Sequence, residues 1–213
     1  MTTDAEGTCR EEMCLWGRSM FERGLTPGSS GNFSVRLADG YLVTPTGSCL
    51  GFLQPGLLTK LDGDGRYVSG DRPTKEVPMH LAFYAARPAA RAVVHLHSTY
   101  ATALSCLEDI DAENALPAIT PYSIMQFGRV RVVPYAPPGS EELAKLVAAA
   151  GHHHNALLLG NHGPIVAAGS LRSAVFAAEE LEETARLVLI THGMRVRLLS
   201  TAAAAALSSP AVN

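Results

Sequence analysis

Three histidines stand where imidazoles can gather round one ion. His95 and His97 are two positions apart in Ala92-Val93-Val94-His95-Leu96-His97, a short β-branched run suited to a buried strand. Alternate residues of a strand lean to one face, so both rings can reach a single divalent cation. Taken alone, such a pair more often marks a packed core or edge histidine than a ligand. His162 shifts that balance, because it lies in Gly160-Asn161-His162-Gly163-Pro164, a turn that needs no histidine for packing. Three imidazoles would leave open coordination positions on a zinc-like ion, enough for a substrate that chelates through two oxygens. An ion held in this way acts as a Lewis acid toward negative charge developing on that substrate.

Other residues could join or compete. Glu76 and His80 are spaced i,i+4 on an expected helix, which fits a surface pair or a Glu turned toward a nearby site, with the surface pair favoured on spacing alone. The run His152-His153-His154 is a second source of imidazoles, but consecutive side chains diverge and the run falls in a polar helix-to-strand connection. It reads as a solvated loop. Gly28-Ser29-Ser30-Gly31-Asn32 and Thr44-Pro45-Thr46-Gly47 offer backbone N–H groups, hydroxyls and an amide without a fixed positive charge. Such concavities suit a phosphate monoester, although neither is a Walker loop and Gly/Ser loops also serve as plain turns. Asp62-Gly63-Asp64-Gly65 lacks the remaining oxygens of a calcium loop, and Arg66 stands where an acceptor belongs.

The elements that must carry these residues can be placed from periodicity and punctuation. Met13, Trp16 and Met20 form one stripe of a helix over residues 10–23, which Gly24 closes. Strands over 33–37 and 41–44 meet at Asp39-Gly40, and a second hairpin turns at residues 62–65. A helix over 75–86 tolerates Pro78 in its first turn. Another helix follows the paired histidines at 100–107, and a strand covers 129–135. Ser140 caps a helix to about residue 150, strands over 156–159 and 165–167 flank His162, and Ser170 opens a long amphipathic helix to residue 190. This alternation predicts an α/β sandwich with its sheet covered on both faces, and the mixed connections argue against a purely parallel sheet.

The 213 residues fit one domain, 1–213, in which 1–9 and about 200–213 are expected as flexible tails. A hydrophobic fraction of 47% and a charged fraction of 17% are those of a globular chain. A net charge of -3 without a Lys/Arg cluster removes the usual basis for nucleic-acid binding. The polar, acidic start and the lack of an apolar run near ~20 residues predict neither a signal peptide nor a membrane span, hence a cytoplasmic protein with no membrane partner. Cys9, Cys14, Cys49 and Cys106 form no C-x-x-C pair and read as reduced thiols.

Gly31-Asn32-Phe33-Ser34, Thr44-Pro45-Thr46-Gly47, the Glu76 helix, His95-Leu96-His97 and Asn161-His162-Gly163, in this order across residues 10–195, resemble the class II aldolase/adducin family. The resemblance implies a three-layer α/β/α sandwich around a mixed, largely antiparallel sheet, a cyclic homotetramer, and one divalent ion per subunit, zinc in this family. It implies His95, His97 and His162 as the metal ligands, and Glu76 as the acid/base, also able to approach the metal before substrate arrives. Tyr122 corresponds to a tyrosine that assists proton transfer, and Asn32, Thr46, Gly47 and Thr74 to the phosphate-binding positions. Lys75 departs from the aldolase members, which carry a small hydroxyl residue before this Glu.

Within the family, Gly28-Ser29-Ser30-Gly31-Asn32, Thr46-Gly47-Ser48-Cys49-Leu50-Gly51, Pro73-Thr74-Lys75-Glu76 and Ala178-Glu179-Glu180-Leu181-Glu182-Glu183-Thr184-Ala185 are most similar to members that decarboxylate a 3-oxo-tetronate 4-phosphate. The implied partner is thus a phosphorylated sugar acid. Its loss of carbon dioxide beside a metal-chelated ketone and hydroxyl gives the enediolate of dihydroxyacetone phosphate. The aldolases reach that species by losing an aldehyde, so one site serves either leaving group. Lys75 is either a solvated helix-start lysine or a cation for the substrate's carboxylate or phosphate. An aldolase or 4-epimerase of the same family and a non-catalytic adducin-like module stand as alternatives; a complete set of three histidines with Glu76 speaks for an enzyme.

Overall fold

The computed structural model describes residues 2–208. Strands β1 (Asn32–Arg36), β2 (Gly40–Val43), β3 (Thr59–Asp62), β4 (Tyr67–Ser69), β5 (Ala92–His95), β6 (Arg131–Val133), β7 (Ala156–Leu159) and β8 (Gly163–Ala168) form one sheet, in the order β4-β3-β2-β1-β5-β8-β7-β6. Every neighbouring pair is antiparallel except β6 with β7. Helices α1 (Thr2–Glu22), α2 (Val77–Ala86), α3 (Thr99–Ser105), α4 (Pro121–Phe127), α5 (Glu141–Gly151), α6 (Leu171–Ile190) and α7 (Thr201–Ser208) surround it. This is the expected α/β sandwich with a mixed, largely antiparallel sheet.

Strand alternation divides the core. Ala92, Val94, Leu158 and Val166 face one way and pack with Met13 and Met20 of α1, Leu104 of α3, and Val175 and Leu181 of α6. Val93, Leu157, Leu159, Ile165 and Ala167 face the other way, against Met79 and Phe83 of α2 and Leu143 and Val147 of α5. Each fully buried aliphatic side chain of these layers contributes about 1.5–3 kcal/mol by leaving water. The central strands β5, β7 and β8 are apolar along almost their whole length because both faces are covered.

The ends differ from the expectation. Helix α1 begins at Thr2 rather than at residue 10, and Glu6 explains the extension: it pairs with Arg10 one turn on, at 2.8 Å, and with Lys60 of β3, also at 2.8 Å. Residues 201–208, expected as part of a tail, form α7, which packs on α4. Alanine is the strongest helix former and needs no apolar stripe, so a pattern search overlooks such a segment. Met1 and residues 209–213 lie outside the described residues. Helix α4, opened by Pro121 at its first position, is absent from the pattern-based reading altogether.

Candidate active site

His95 ends β5, where antiparallel register places it opposite Asn32 of β1 on one side and Ile165 of β8 on the other. Cross-strand neighbours share a face, so Asn32, His95 and Ile165 form a row on the α2 side of the sheet. The approach of β1 to β5 is tight: Gly31 has φ 76°, and a Cβ there would stand 3.1 Å from the His95 carbonyl oxygen. The turn carrying His162 presses equally hard on the paired histidines. A Cβ on Gly163 would lie 2.5 Å from the Leu96 carbonyl oxygen, so only glycine lets β8 begin there. Just beyond His97, the buried Glu182 of α6 accepts hydrogen bonds from the N–H groups of Tyr100 and Ala101 at 2.9 and 2.8 Å. It thereby caps α3 and pins the chain that leaves the site.

Glu76 sits at the N-cap of α2, 4% exposed, and aims its carboxylate at the three rings. His95 Nε2 lies 3.0 Å from His97 Nε2 and 3.5 Å from Glu76 Oε2, and His162 Nε2 lies 3.4 Å from Glu76 Oε1. One ligand atom from each of the four residues falls within 4.8 Å of all the others. Ligands of a tetrahedral zinc-sized ion, each about 2.0–2.1 Å from it, stand about 3.4 Å apart, close to the 3.0, 3.4 and 3.5 Å separations here.

The protonation pattern agrees. His95 Nδ1–H donates to the Pro164 carbonyl at 2.9 Å, which leaves the Nε2 lone pair facing inward. Burial lowers the affinity of His95 for a second proton well below the ordinary imidazole range, and the neighbouring rings of His162 and His97 add to it. His97 and His162 are lowered too, first by burial; Glu76 opposes this and the Lys75 ammonium reinforces it. Glu76 Oε1 is buried without a hydrogen-bond donor. A buried carboxylate in that state calls for a cation, and this set of nitrogen and oxygen donors fits one.

Behind Glu76 runs a buried chain of polar groups. Asn32 Nδ2 donates to Glu76 Oε2 at 2.7 Å, and His80 Nε2 lies 2.6 Å from Asn32 Oδ1. Ser34 Oγ lies 2.8 Å from His80 Nδ1, and the Tyr84 hydroxyl donates to the Ser34 carbonyl at 2.9 Å while standing 3.0 Å from Ser34 Oγ. This corrects the expectation of a surface pair: Glu76 and His80 are both buried on the sheet-facing side of α2, and Asn32 links their side chains. Spacing says that two residues share a helix face, not which face it is. The usable signal was His80 itself, set among Met79, Phe83 and Tyr84 on one apolar turn.

The remaining candidates fall in different places. Thr46 and Gly47 are exposed in a loop that runs beside the residue 72–76 segment, through Thr46 N–H to Arg72 O at 2.9 Å and Thr74 N–H to Thr44 O at 3.2 Å. Thr74 is buried and its hydroxyl accepts from Glu76 N–H at 3.3 Å, whereas Lys75 is exposed. Asn32 is committed through its side chain to Glu76 and His80. Tyr122 stands 68% exposed on α4 and makes no hydrogen bond to the histidines among the described residues. His152 and His153 are exposed at the end of α5, and His154 reaches the Arg129 carbonyl. In the loop 62–66, Asp62 accepts from the N–H groups of Asp64 and Arg66, as in an ordinary turn.

Residues 11–189 match the Class II Aldolase and Adducin N-terminal domain. The 3-oxo-tetronate 4-phosphate decarboxylase of Escherichia coli (strain K12) is 48% identical over 205 residues, covering 96% of this chain and 97% of the relative. The L-fuculose phosphate aldolase of the same strain is 39% identical, over 84% of this chain and 80% of the aldolase. The crystal structure of YgbL from Escherichia coli superimposes with a TM-score of 0.94 at 46% identity, over 96% of this chain and 100% of that one. Among the described residues, no helix is long and apolar enough to cross a membrane.

Proposed function

The chain belongs to the class II aldolase and adducin family, and from that premise we propose that it is a metal-dependent carbon–carbon lyase. Its reaction is the decarboxylation of a 3-oxo-tetronate 4-phosphate to dihydroxyacetone phosphate and carbon dioxide. One observation carries the chemistry: three neutral imidazoles and a buried carboxylate converge on a common centre. A divalent ion held there by His95, His97 and His162, zinc by the nitrogen-rich donor set, would supply Lewis acidity toward negative charge on the substrate's ketone and hydroxyl oxygens.

The chain's own residues supply the rest. Glu76 delivers a proton to the carbon that carbon dioxide leaves, since cleavage and protonation are separate demands. Lys75 brings beside Glu76 the full positive charge that the neutral Gly/Ser/Thr loops lack, to hold the leaving carboxylate or offset the phosphate. Thr46, Gly47 and Thr74 serve the phosphate from two paired loops. Asn32 joins them as the family resemblance implies, and its amide also contacts Glu76 and His80.

A homotetramer is part of the same proposal. Tyr122, exposed on α4, would then assist proton transfer in a neighbour's site. Cytoplasmic location follows from the substrate class, because a phosphate dianion does not cross a bilayer unaided.

The test is to incubate metal-loaded protein with the D and L forms of 3-oxo-tetronate 4-phosphate and to follow dihydroxyacetone phosphate and carbon dioxide. L-fuculose 1-phosphate serves as the aldolase control. Both products from a keto acid, and little from the control, are expected. Dihydroxyacetone phosphate from the control alone would give the aldolase activity instead, and metal-free, inert protein would give the binding module. Elemental analysis and light scattering check zinc and the tetramer.

A further inference from the structure

We infer that His80 is a positioning residue which, through Asn32, makes the two oxygens of Glu76 inequivalent, holding Oε2 and leaving Oε1 to move the proton. The inference rests on Glu76 as the acid/base.

The argument is one of hydrogen-bond direction. A primary amide can present either end to a neighbour, and the wrong end here would set Asn32 Oδ1 against a carboxylate, acceptor against acceptor. The carboxylate only accepts, so Asn32 must donate to Oε2 at 2.7 Å. Its Oδ1 then faces His80 Nε2 at 2.6 Å, and that nitrogen must carry the hydrogen. His80 is buried, and burial pushes its pKa down to about 3, so it stays neutral and has a single N–H to give. Nδ1 is therefore an acceptor, and Ser34 Oγ–H donates to it at 2.8 Å. The Tyr84 hydroxyl, donating to the Ser34 carbonyl at 2.9 Å, completes the far end.

Each link from Ser34 to Glu76 thus points toward the carboxylate. A chain of this kind rigidifies what it ends on. Both oxygens lie near an imidazole, Oε2 3.5 Å from His95 Nε2 and Oε1 3.4 Å from His162 Nε2, but Oε2 is taken by Asn32 whereas Oε1 is buried without a donor. A proton in transit therefore resides on Oε1, and the amide of Asn32 keeps that oxygen aimed at the common centre. No charge on His80 is involved.

The test compares His80→Phe with His80→Gln in the full-length, metal-loaded protein. Phenylalanine fills the space but removes both nitrogens; the longer amide of glutamine places an N–H where Nε2–H stood. Changes in partners of this type alter activity or metal affinity by about 10–100-fold. His80→Phe should lower kcat at least about tenfold with KM within about threefold, and should weaken zinc binding by the metal-free protein in chelator competition. His80→Gln should recover most of both. Unchanged kcat and zinc affinity in folded His80→Phe, or a glutamine variant no better than phenylalanine, would overturn the assignment. If the phenylalanine variant does not fold, Ser34→Ala decides: a fall in kcat with KM preserved is expected, and parental kcat overturns the proposal. Full turnover by Glu76→Gln would remove the acid/base role itself, while zinc competition and the glutamine rescue would still report whether His80 positions Glu76.

Discussion

His95 is tied by its Nδ1–H to the carbonyl of Pro164 at 2.9 Å, so the strand bearing one imidazole is fastened two residues beyond another, His162. The placement of the His95 ring is consequently a property of the sheet, not of a mobile side chain, and a single histidine of the cluster can be removed without dismantling it.

His97→Ala or His162→Ala should abolish turnover and metal retention while leaving the fold. His97 is half-buried just past the end of β5, and His162 lies in a turn, so neither fills the apolar core. Elemental analysis, circular dichroism and an assay check this together. Near-parental activity with either alanine would sink the metal site.

Glu76→Gln should cost roughly 10²–10⁴-fold in kcat and spare KM. The amide keeps the size of the side chain but can neither deliver a proton nor balance a cation's charge. Loss of binding with rate preserved would reduce Glu76 to a structural residue.

Lys75→Met should lower kcat/KM for the phosphorylated keto acid at least about tenfold, or ~1.4 kcal/mol, with metal content unchanged. The ammonium is exposed, and its charge disfavours protonation of His97 and His162. Equal efficiency with metal retained would make it a solvated lysine and restore the aldolase reading to equal standing.

Acid should destabilise the metal-free protein partly through His80. Its folded pKa, about 3, lies below the unfolded 6.5, so its contribution is complete above about pH 6.5 and is lost as pH falls toward 3. The unfolded chain binds the extra proton in that window, which gives a slope of about 1.4 kcal/mol per pH unit. The buried neutral His95 acts in the same direction. In urea unfolding between pH 7 and 5, His80→Gln should show a shallower decline than the parent; parallel declines would mean that His80 is not held neutral.

The histidine cluster was legible in the sequence because a His-x-His on a β-branched run, ambiguous by itself, is joined by His162 in a Gly-rich turn that needs no histidine for packing. The sheet was legible from alternation and turn residues. His80 was not, since i,i+4 spacing is silent about which way a helix faces until Met79 and Phe83 are seen against Val93 and Ile165. Asn32 was assigned to phosphate by its match to the family's positions, and only the cross-strand register with His95 brings out that its amide also reaches Glu76 and His80. Tyr122 poses the opposite difficulty, as a residue whose proposed partner lies on another subunit is invisible in one chain however clearly its type is read.

The outermost strand has a different consequence. β4 has three residues, all exposed, and its pairing with β3 is interrupted by a register shift between Lys60 and Leu61. A long, flat rim of unpaired peptide groups would invite other chains to add strands; a short, irregular one does not. Lys60, held by Glu6 and Asp39, further places charges along this margin. The sheet therefore has a built-in terminus at the β4 edge, which should disfavour strand addition there at the concentrations a metabolic enzyme reaches.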